Sequence, residues 1–233
     1  MSSSKTTKGY TRLAGYKVLS FDKISSTQTY AHDMIASGEA RDCTAIVAQA
    51  QYAGRGRYRR NWVSHHGNLY VSFIFSCDER DSRLAYAVAV AIVDTIASYG
   101  IRAEIKWPND VLIDGKKVSG VLIEYAGRFV IVGIGINVLT NPTVAEYKTT
   151  KLADYADVTV LDLFNRLSKN LEKWRKADFN SVRQRWMDAA AGINTMVKYR
   201  GEMVKLIGIN DSGALVVRHK NEYVLIHGDE IFM

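Results

Sequence analysis

The segment GRGRYRRNW, residues 54–62, combines the two residue types that bind anions most directly. Its glycines, Gly54 and Gly56, let the backbone approach a ligand closely and expose N–H groups to it. Arginine side chains add two-pronged hydrogen bonds to a phosphate or a carboxylate. The arginines suited to this are Arg55, Arg57 and Arg60. The segment therefore predicts anion binding, although a solvated basic loop, or one that lies along a nucleic acid backbone, would have the same composition.

A second group of charged residues lies in the segments KWPND and KKVSG. Lys106 and Lys117 are predicted to lie near opposite sides of a hairpin, next to Asn109 and Asp110. Lysines beside an Asp-Gly turn are usually surface residues. On its own, this group therefore favours no particular chemistry.

Several other kinds of site are excluded because their motifs are missing. No Gly-x-x-x-x-Gly-Lys-Ser/Thr segment occurs, and GIGINV lacks the third glycine of a dinucleotide fingerprint. Cys43 and Cys77 form no Cys-x-x-Cys pair, and the five histidines show no zinc-binding spacing. We therefore expect two free, buried thiols and no metal site built from these residues.

Composition and charge set broader limits. With 47% hydrophobic residues the chain can bury a substantial core, and a net charge of +7 favours anionic partners. The longest apolar run, LAYAVAVAIVDTIASYG, is interrupted by Asp94 and shows helical spacing, so it predicts a core helix and not a membrane span. The polar N-terminal residues lack the apolar block of a secretory signal. We expect a globular, cytoplasmic protein that does not associate with membranes.

Apolar periodicity places the arginine-rich segment between two strands. YKVLSF predicts a strand, and SSTQTYAHDMIASG predicts a helix that begins near Ser26. CTAIVAQAQ leads into the arginine-rich segment and GNLYVSFIF leaves it, each with the pattern of a strand. The core helix is then expected over residues 81–99.

Turn signals divide the middle of the chain into strands. Pro108 ends the strand of RAEIKW, because the residue before a proline is held extended. An Asp-Gly turn at residues 114–115 and a second turn at residues 126–127 separate three β-rich runs. These runs predict a three-stranded antiparallel meander.

The last third of the chain predicts two helices followed by a small β-domain. Amphipathic patterns over residues 161–176 and 181–190 predict helices that cover the sheet. The runs TMVKYRG, MVKLIGI, GALVVRH, EYVLIHG and EIFM predict the short strands of a small closed barrel. We therefore predict an α+β fold with a mainly antiparallel sheet flanked by helices. Its domains would be a main domain over residues 1–190 and a C-terminal barrel over residues 191–233.

Four segments, in their order and spacing, resemble the biotin protein ligases: FDKISSTQTYAHDM, AQAQYAGRGRYRRNWVSHHGNLYVSFIF, KWPNDVLIDGKKVSGVLIE and VGIGINV. The resemblance spans roughly residues 21–137 and extends more weakly to that family's SH3-like C-terminal barrel. It implies the class II synthetase-like fold of the biotin and lipoate ligases. It also implies that the chain joins biotin to ATP, with Mg²⁺ expected, and then transfers biotin from biotinyl-5′-adenylate to a lysine of a biotin carboxyl carrier protein.

The resemblance further implies the residues of the site. Biotin would be held by Ser26, Thr27, Gln51, Gly54, Arg55, Trp107, Lys117 and Gly120. ATP would be held by Arg57, Arg60, Trp62, Asn109 and Asn137. Catalytic roles would belong to Lys117, Arg57, Arg55 and Asp110. Cations are needed because the carboxylate and the α-phosphate repel each other by an energy on the order of several kcal/mol at low dielectric.

The arginine-rich segment would also have a protective role. An acyl-adenylate hydrolyses when it is exposed to water, so a segment that is mobile when empty and folds over the ligands would admit substrates and then exclude solvent. Two departures from the family pattern affect this segment. Arg59 stands where a glycine is common, and His65 where a proline is common.

Partners and alternative functions follow from the same resemblance. Only about twenty residues precede the first helix of the catalytic core, which leads us to expect no winged helix and no DNA binding. A homodimer is expected by analogy. The alternatives are a lipoate or octanoate ligase of the same fold, and a non-catalytic RNA-binding module that uses the basic segment.

Overall fold

The computed structural model of the chain describes residues 9–227. The helices are α1 (Thr27–Ala36), α2 (Leu84–Ala97), α3 (Val160–Arg175) and α4 (Phe179–Ala189). The strands are β1 (Gly9–Leu13), β2 (Tyr16–Ile24), β3 (Thr44–Gln51), β4 (Leu69–Ser76), β5 (Glu104–Lys106), β6 (Asp110–Ile113), β7 (Lys116–Ala126), β8 (Phe129–Ile136), β9 (Met196–Tyr199), β10 (Glu202–Ile209), β11 (Leu215–His219) and β12 (Glu222–Ile226). The chain divides into two compact units. The first runs up to Arg80 and continues over Lys116–Lys169, and the second comprises Asp81–Gly115 and the residues from Asn170 onward.

A mainly antiparallel sheet forms the first unit, with the strand order β1-β2-β3-β4-β8-β7. Its one parallel pair is β2 with β3, and the helix α1 connects these two strands. Parallel neighbours need such a crossover, because a short turn cannot return the chain to the starting edge. The crossover helix packs its buried residues, including Ala31 and Met34, against Leu19, Ile46 and Ile131 of the sheet.

Because of the directions in which the strands run, several of them begin or end at the same edge of this sheet. Ile24 and Gln51 are opposite each other at the carboxyl ends of β2 and β3. At the same edge, Leu69 begins β4 opposite Ile136, which ends β8 and also pairs with Ser119 near the start of β7. The connections at this edge therefore lie close together, although they are far apart in the sequence. They include the segment over residues 52–68.

The second unit combines the core helix α2 with α4, a hairpin and a separate small sheet. β5 and β6 pair antiparallel, and the small sheet has the order β12-β11-β10-β9 with antiparallel neighbours. Asp94 on α2 accepts hydrogen bonds from Trp174 Nε1 at 2.8 Å and from Arg185 Nε at 2.9 Å. These bonds join three helical segments through one carboxylate.

The predicted elements are largely confirmed, including the α+β class and the mainly antiparallel sheet. The first helix begins directly after Ser26, and the core helix occupies Leu84–Ala97 within the predicted range. The Asp-Gly turn is also confirmed, because Asp114 and Gly115 have φ angles of 50° and 70°, as a tight hairpin turn requires.

Three expectations need correction or extension. The thiols of Cys43 and Cys77 were expected to be buried, but both residues are partly exposed. Residues of the N-terminal stretch that were expected to be a polar tail include β1, which pairs antiparallel with β2. Pairing with a neighbour that is buried in the sheet stabilises this strand, although its own sequence has no strand pattern. The C-terminal antiparallel sheet is confirmed, but the fifth predicted strand, EIFM, lies outside the described residues. Closure of this sheet into a barrel and the domain boundary at residue 191 stay predictions.

The shared carboxylate of Asp94 yields a test of stability. Asp94→Ala should lower the free energy of unfolding by roughly 2–3 kcal/mol, because it leaves the half-buried donors of Trp174 and Arg185 without their charged acceptor. Urea unfolding at neutral pH measures this. Asp162→Ala is the control: it removes an exposed carboxylate that pairs with Arg166 four residues on, and the loss should be about 0.5 kcal/mol. Equal losses in the two variants would contradict the role given to Asp94.

Candidate active site

The N-terminus of α1 and the end of β3 bring together a largely buried cluster of polar groups, which we call the polar pocket. Ser26 is the N-cap of the helix and accepts hydrogen bonds from the backbone N–H groups of Gln28 and Thr29. The side-chain oxygen of Gln51 accepts from the backbone N–H of Thr27 at 2.8 Å and lies 3.2 Å from its hydroxyl. Ser26 and Thr27 are buried. The pocket therefore presents hydroxyl and amide groups whose orientation the helix start has fixed.

Gly54 sits where no side chain would fit. A Cβ at this position would lie 2.3 Å from the carbonyl oxygen of Trp62 and 2.7 Å from Ser64 Oγ. The close approach lets the carbonyl of Gly54 accept from the backbone N–H of Trp62 at 2.9 Å. Ser64 in turn accepts from Gln51 Nε2 at 2.9 Å and donates to the carbonyl of Trp62 at 3.0 Å. Both ends of the arginine-rich segment are thus tied to Gln51.

The arginine-rich segment turns back on itself between these ends. Arg55 and Asn61 are paired as a β-bridge, and Gly56 N–H donates to the carbonyl of Arg60 at 2.8 Å. A short 3-10 turn, Arg57–Arg59, forms the tip. The segment lines a cavity of about 400 Å³, together with Leu122 and Glu124 of β7. Four of the lining side chains are arginines, so the cavity is suited to an anionic ligand.

At the tip, one aromatic ring lies against two guanidinium groups. The guanidinium carbons of Arg57 and Arg60 lie 4.9 Å and 5.6 Å from the centre of the Tyr58 ring. Arg57 also donates to the Tyr58 hydroxyl at 3.0 Å. Tyr58 and Arg59 have φ angles of 53° and 60°, in the left-handed region that glycine favours. The backbone at Arg59 therefore has the conformation that a glycine at this position would adopt without strain.

Glu124 joins the arginine-rich segment to α1, and the sequence analysis did not single it out. Its carboxylate accepts from Arg55 at 2.7 Å and from Gln28 Nε2 at 3.0 Å, and His32 Nε2 lies 2.9 Å away. Burial by itself raises the pKa of Glu124, but the hydrogen bonds from His32 and Gln28 and the charge of Arg55 outweigh it. The pKa therefore lies below its usual value, and the carboxylate is ionised at neutral pH.

Trp62 lies over two glycines that are paired across β7 and β8. Cβ atoms built at Gly120 and Gly135 would come within 2.9 Å and 2.5 Å of its ring. The indole Nε1 is buried and has no hydrogen-bond partner in the described part of the chain. The ammonium of Lys117 lies 5.4 Å from the centre of this ring and 5.0 Å from that of Tyr147. Trp62, expected on the ATP side, thus contacts Gly120, which was expected on the biotin side.

Asn137 follows β8 and is almost fully buried. Its Nδ2 donates to the carbonyl of Thr150 at 3.0 Å, whereas its Oδ1 has no hydrogen-bond partner within residues 9–227. A buried carbonyl oxygen of this kind is a ready acceptor for an amino group of a ligand. The segment after it is held by Asn68, whose Oδ1 accepts from the backbone N–H groups of Val138, Leu139 and Thr140 at 2.8 Å, 3.1 Å and 3.2 Å. Asn68 was also missed by the sequence analysis.

Three expected site residues belong to the second unit. Trp107 is buried, and its Nε1 donates to the hydroxyl of Tyr86 at 3.2 Å. Asn109 lies in the turn between β5 and β6, and Asp110 begins β6 opposite Lys106. Their contribution to ligand binding and catalysis stays a prediction.

In the first unit, the structure therefore brings together most of the residues that were expected to form the site. One part of this edge is a neutral pocket of hydroxyl and amide groups, and the other is a cationic segment with Lys117 near it. Such an arrangement can bind a polar, uncharged head group beside two anionic groups. The residues that sequence reasoning missed are Gln28, Ser64, Asn68, Ser72, Glu124 and Tyr147. Each is a common polar residue whose importance arises only from its neighbours in the fold.

The chain is similar to proteins of one family in sequence and in structure. The model of the biotin/lipoate A/B protein ligase family matches residues 20–141. A bifunctional ligase/repressor BirA from Bacillus spizizenii is 34% identical over 95% of this chain and 75% of its own length. A biotin–[acetyl-CoA-carboxylase] ligase from Paracoccus denitrificans is 30% identical over 80% of this chain and 89% of its own length. Both relatives are matched over most of their length.

Solved structures give the same result. The biotin protein ligase from Aquifex aeolicus, in complex with biotin and ATP, superposes with a TM-score of 0.79 at 27% identity. The match covers 92% of this chain and 97% of that chain.

Among residues 9–227, no helix is long and apolar enough to cross a membrane.

The ionised state of Glu124 predicts a pH dependence of stability. A carboxyl group whose pKa is lowered in the folded state stabilises the fold above its unfolded pKa, and this contribution is lost as the pH falls through the folded pKa. The difference in unfolding free energy between the wild type and Glu124→Gln should therefore be largest above the usual glutamate pKa of 4.5 and shrink below it. Urea unfolding at several pH values measures this. Glu39→Gln, at an exposed position, is the charge-matched control, and an equal trend in both variants would contradict the prediction.

The contact between Trp62 and Gly135 can be tested by adding one methyl group. Gly135→Ala would place a Cβ 2.5 Å from the indole, so the rigid ring must move and become more accessible. Acrylamide quenching of tryptophan fluorescence should increase. The increase should disappear when Gly135→Ala is made in a Trp62→Phe background, which leaves the other tryptophans in place. The same increase in both backgrounds would show that a different tryptophan responds.

Proposed function

The chain belongs to the biotin/lipoate A/B protein ligase family, and we propose that it is an ATP-dependent biotin protein ligase. It forms biotinyl-5′-AMP from biotin and ATP and then transfers the biotinyl group to a lysine of a biotin carboxyl carrier protein. The observation that carries the proposal is that the polar groups of Thr27 and Gln51 are joined through Ser64 to the end of the arginine-rich segment at Trp62. Biotin has the matching chemistry, with an uncharged ureido ring at one end and a carboxylate at the other.

The first half-reaction needs positive charge at the point where two anions meet. A carboxylate oxygen of biotin attacks the α-phosphorus of ATP, the new bond is a mixed anhydride, and pyrophosphate leaves with the electron pair of the broken P–O bond. Arg55 and Lys117 would face the biotin carboxylate, and Arg57 and Arg60 would face the phosphates. Their charges would stabilise the transition state because they offset the negative charge that develops where the carboxylate meets the phosphates.

The second half-reaction uses the same charges. The neutral amine of the acceptor lysine attacks the carbonyl carbon of the anhydride, and the C–O bond to phosphate breaks. AMP leaves with the electron pair of that bond, and the amine nitrogen loses one proton, so that an amide forms. Lys117 is proposed to stabilise the bridging phosphoester oxygen in both steps. Asn137 is proposed to receive the adenine amino group through its buried Oδ1 atom, which has no hydrogen-bond partner among the residues that the structure describes. Asp110 and Asn109 are proposed to orient ATP or the incoming amine.

Mg²⁺ is proposed to enter with ATP. Among the residues that the structure describes, no three or more His, Cys, Asp or Glu side chains converge as a possible metal cage. Mg²⁺ commonly keeps several waters and binds through one or two carboxylates together with substrate phosphates, so one carboxylate such as Asp110, with the Asn109 amide, would suffice. When bound, Mg²⁺ neutralises phosphate charge.

The remaining expectations, a cytoplasmic location, a homodimer and no DNA binding, stay predictions.

The proposed function is tested by ATP–pyrophosphate exchange, which reports the first half-reaction alone. Biotin, lipoate and octanoate are assayed in parallel at equal concentrations. We expect exchange with biotin and little with the other two acids, since neither carries the N–H and C=O groups of the ureido ring. Stimulation by lipoate but not by biotin would instead assign the chain to the lipoyl branch of the family. Retention of RNA without any exchange would favour a binding module.

Two substitutions test the proposed use of positive charge. Lys117→Ala and Arg57→Ala should each lower the biotin-dependent exchange rate by about a hundredfold or more, because each removes a charge placed to stabilise the transition state. Lys116→Ala is the matched control, since it removes the neighbouring, exposed lysine and should leave the rate nearly unchanged. Near-normal activity of both Lys117→Ala and Arg57→Ala would refute the proposed site.

A further inference from the structure

Glu124 is connected to the pocket of Thr27 and Gln51 by a chain of hydrogen bonds. Because Gln28 Nε2 donates to Glu124, the amide oxygen of Gln28 faces Ser72 Oγ at 2.9 Å. Ser72 Oγ lies 2.9 Å from the hydroxyl oxygen of Thr27. Gln28 and Ser72 are buried. Each group in this chain therefore constrains which of its neighbours donates and which accepts.

The direction of the chain follows from counting protons. Ser72 has a single hydroxyl proton, and the oxygen of Gln28 needs a donor, so Ser72 donates to Gln28. Ser72 cannot then donate to Thr27 as well. The hydroxyl of Thr27 must donate outward, either to Ser72 Oγ or to Gln51 Oε1. Its lone pairs stay available, so Thr27 presents an acceptor to an N–H group of a ligand.

At its other side, Glu124 fixes the start of the arginine-rich segment. The 2.7 Å contact with Arg55 joins a residue at the beginning of this segment to the middle of β7. The fold supports this arrangement through Gly133. A Cβ at Gly133 would lie 2.5 Å from the amide oxygen of Gln28. The absence of a side chain at this position leaves room for the Gln28 amide between Ser72 and Glu124.

We propose that Glu124 is a positioning residue: it sets Thr27 as an acceptor for a ureido N–H group and at the same time holds Arg55 at the carboxylate end of the same ligand. The inference rests on the proposed biotin ligase function. It identifies an ionised side chain that lies inside one of the family-like segments but was not among the expected site residues, and that joins the two ends of the acid substrate's site. It does not require that Glu124 touch the substrate.

A glutamine at position 124 cannot satisfy both sides. An amide has one acceptor oxygen and one donor nitrogen, whereas the carboxylate has two acceptor oxygens. If the oxygen faces Gln28, the amide nitrogen faces the guanidinium of Arg55 and releases it. If the oxygen faces Arg55, the amide of Gln28 must turn over and donate to Ser72, and Ser72 then donates to Thr27. Either outcome weakens the binding of biotin.

The test compares biotin and ATP binding in Glu124→Gln and Ser72→Ala. Calorimetry with biotin alone and kinetic analysis of the exchange reaction measure the two substrates separately. Glu124→Gln should raise the Kd and KM for biotin about tenfold or more, the change expected for a lost charged hydrogen bond, and leave the KM for ATP within about twofold. Ser72→Ala breaks the chain without touching Arg55 and should raise the biotin Kd by a smaller factor.

Lipoate supplies a readout that a general loss of structure would not produce. The dithiolane ring of lipoate has no N–H group, so it does not use the acceptor at Thr27. The inhibition constant of lipoate, measured in competition with biotin, should therefore change by no more than about twofold in Ser72→Ala. Glu124→Asp, which retains both carboxylate oxygens, should recover part of the biotin affinity. Glu39→Gln, an exposed position with the same charge change, should bind biotin as the wild type does.

Several outcomes would overturn the proposal. They are an unchanged biotin Kd in both Glu124→Gln and Ser72→Ala, or parallel losses for biotin, lipoate and ATP. If Glu124→Gln does not fold, Ser72→Ala alone decides. If the wild type binds biotin but exchanges no pyrophosphate, the ligase function is refuted. The biotin affinities of the wild type and the variants then still test the role of Glu124. A wild type that does not bind biotin would overturn both.

Discussion

The parallel pairing of β2 with β3 is the constraint on which the rest of the site depends. It requires the crossover helix α1, and it sets Ile24 opposite Gln51, so the helix begins beside the end of β3. The helix N-terminus has backbone N–H groups without partners inside the helix. Ser26 satisfies two of them, and Gln51 satisfies that of Thr27. The same bonds that complete the helix therefore orient the polar groups of the pocket.

Three glycines of β7 and β8 determine what can approach the face of this sheet. Gly133 leaves room for the amide of Gln28, and Gly120 and Gly135 leave room for the indole of Trp62. The GIGINV motif was rejected as a dinucleotide fingerprint, and the structure gives its glycines a different use. Both of them, Gly133 and Gly135, lie inside β8. Because they have no side chains, they leave space on the face of the sheet for the amide of Gln28 and the indole of Trp62. These three glycines therefore determine both how side chains pack on the sheet and how closely they can approach the site.

Local patterns predicted the elements well because caps, turns and apolar periodicity act over a few residues. Ser26 as a helix start and Asp114 in a tight turn are examples of this. Glu124, Ser72 and Asn68 could not be found in the same way. Their importance depends on the order in which β4, β8 and β7 are placed side by side, and no local pattern encodes that order. β1 was missed for a related reason, since its pairing with β2 stabilises residues that have little strand character of their own.

In the arginine-rich segment, backbone strain and side-chain packing act against each other. A residue with a side chain in the left-handed region costs roughly 1–2 kcal/mol, and Tyr58 and Arg59 both adopt it. The packing of Tyr58 against Arg57 and Arg60 offsets part of this cost. A glycine at position 59 would remove the strain there, whereas the arginine retains it and adds a charge to the cavity wall. The turn seen here is therefore held less firmly than its hydrogen bonds alone would suggest. A ligand that draws the arginines to itself needs correspondingly less free energy to rearrange it.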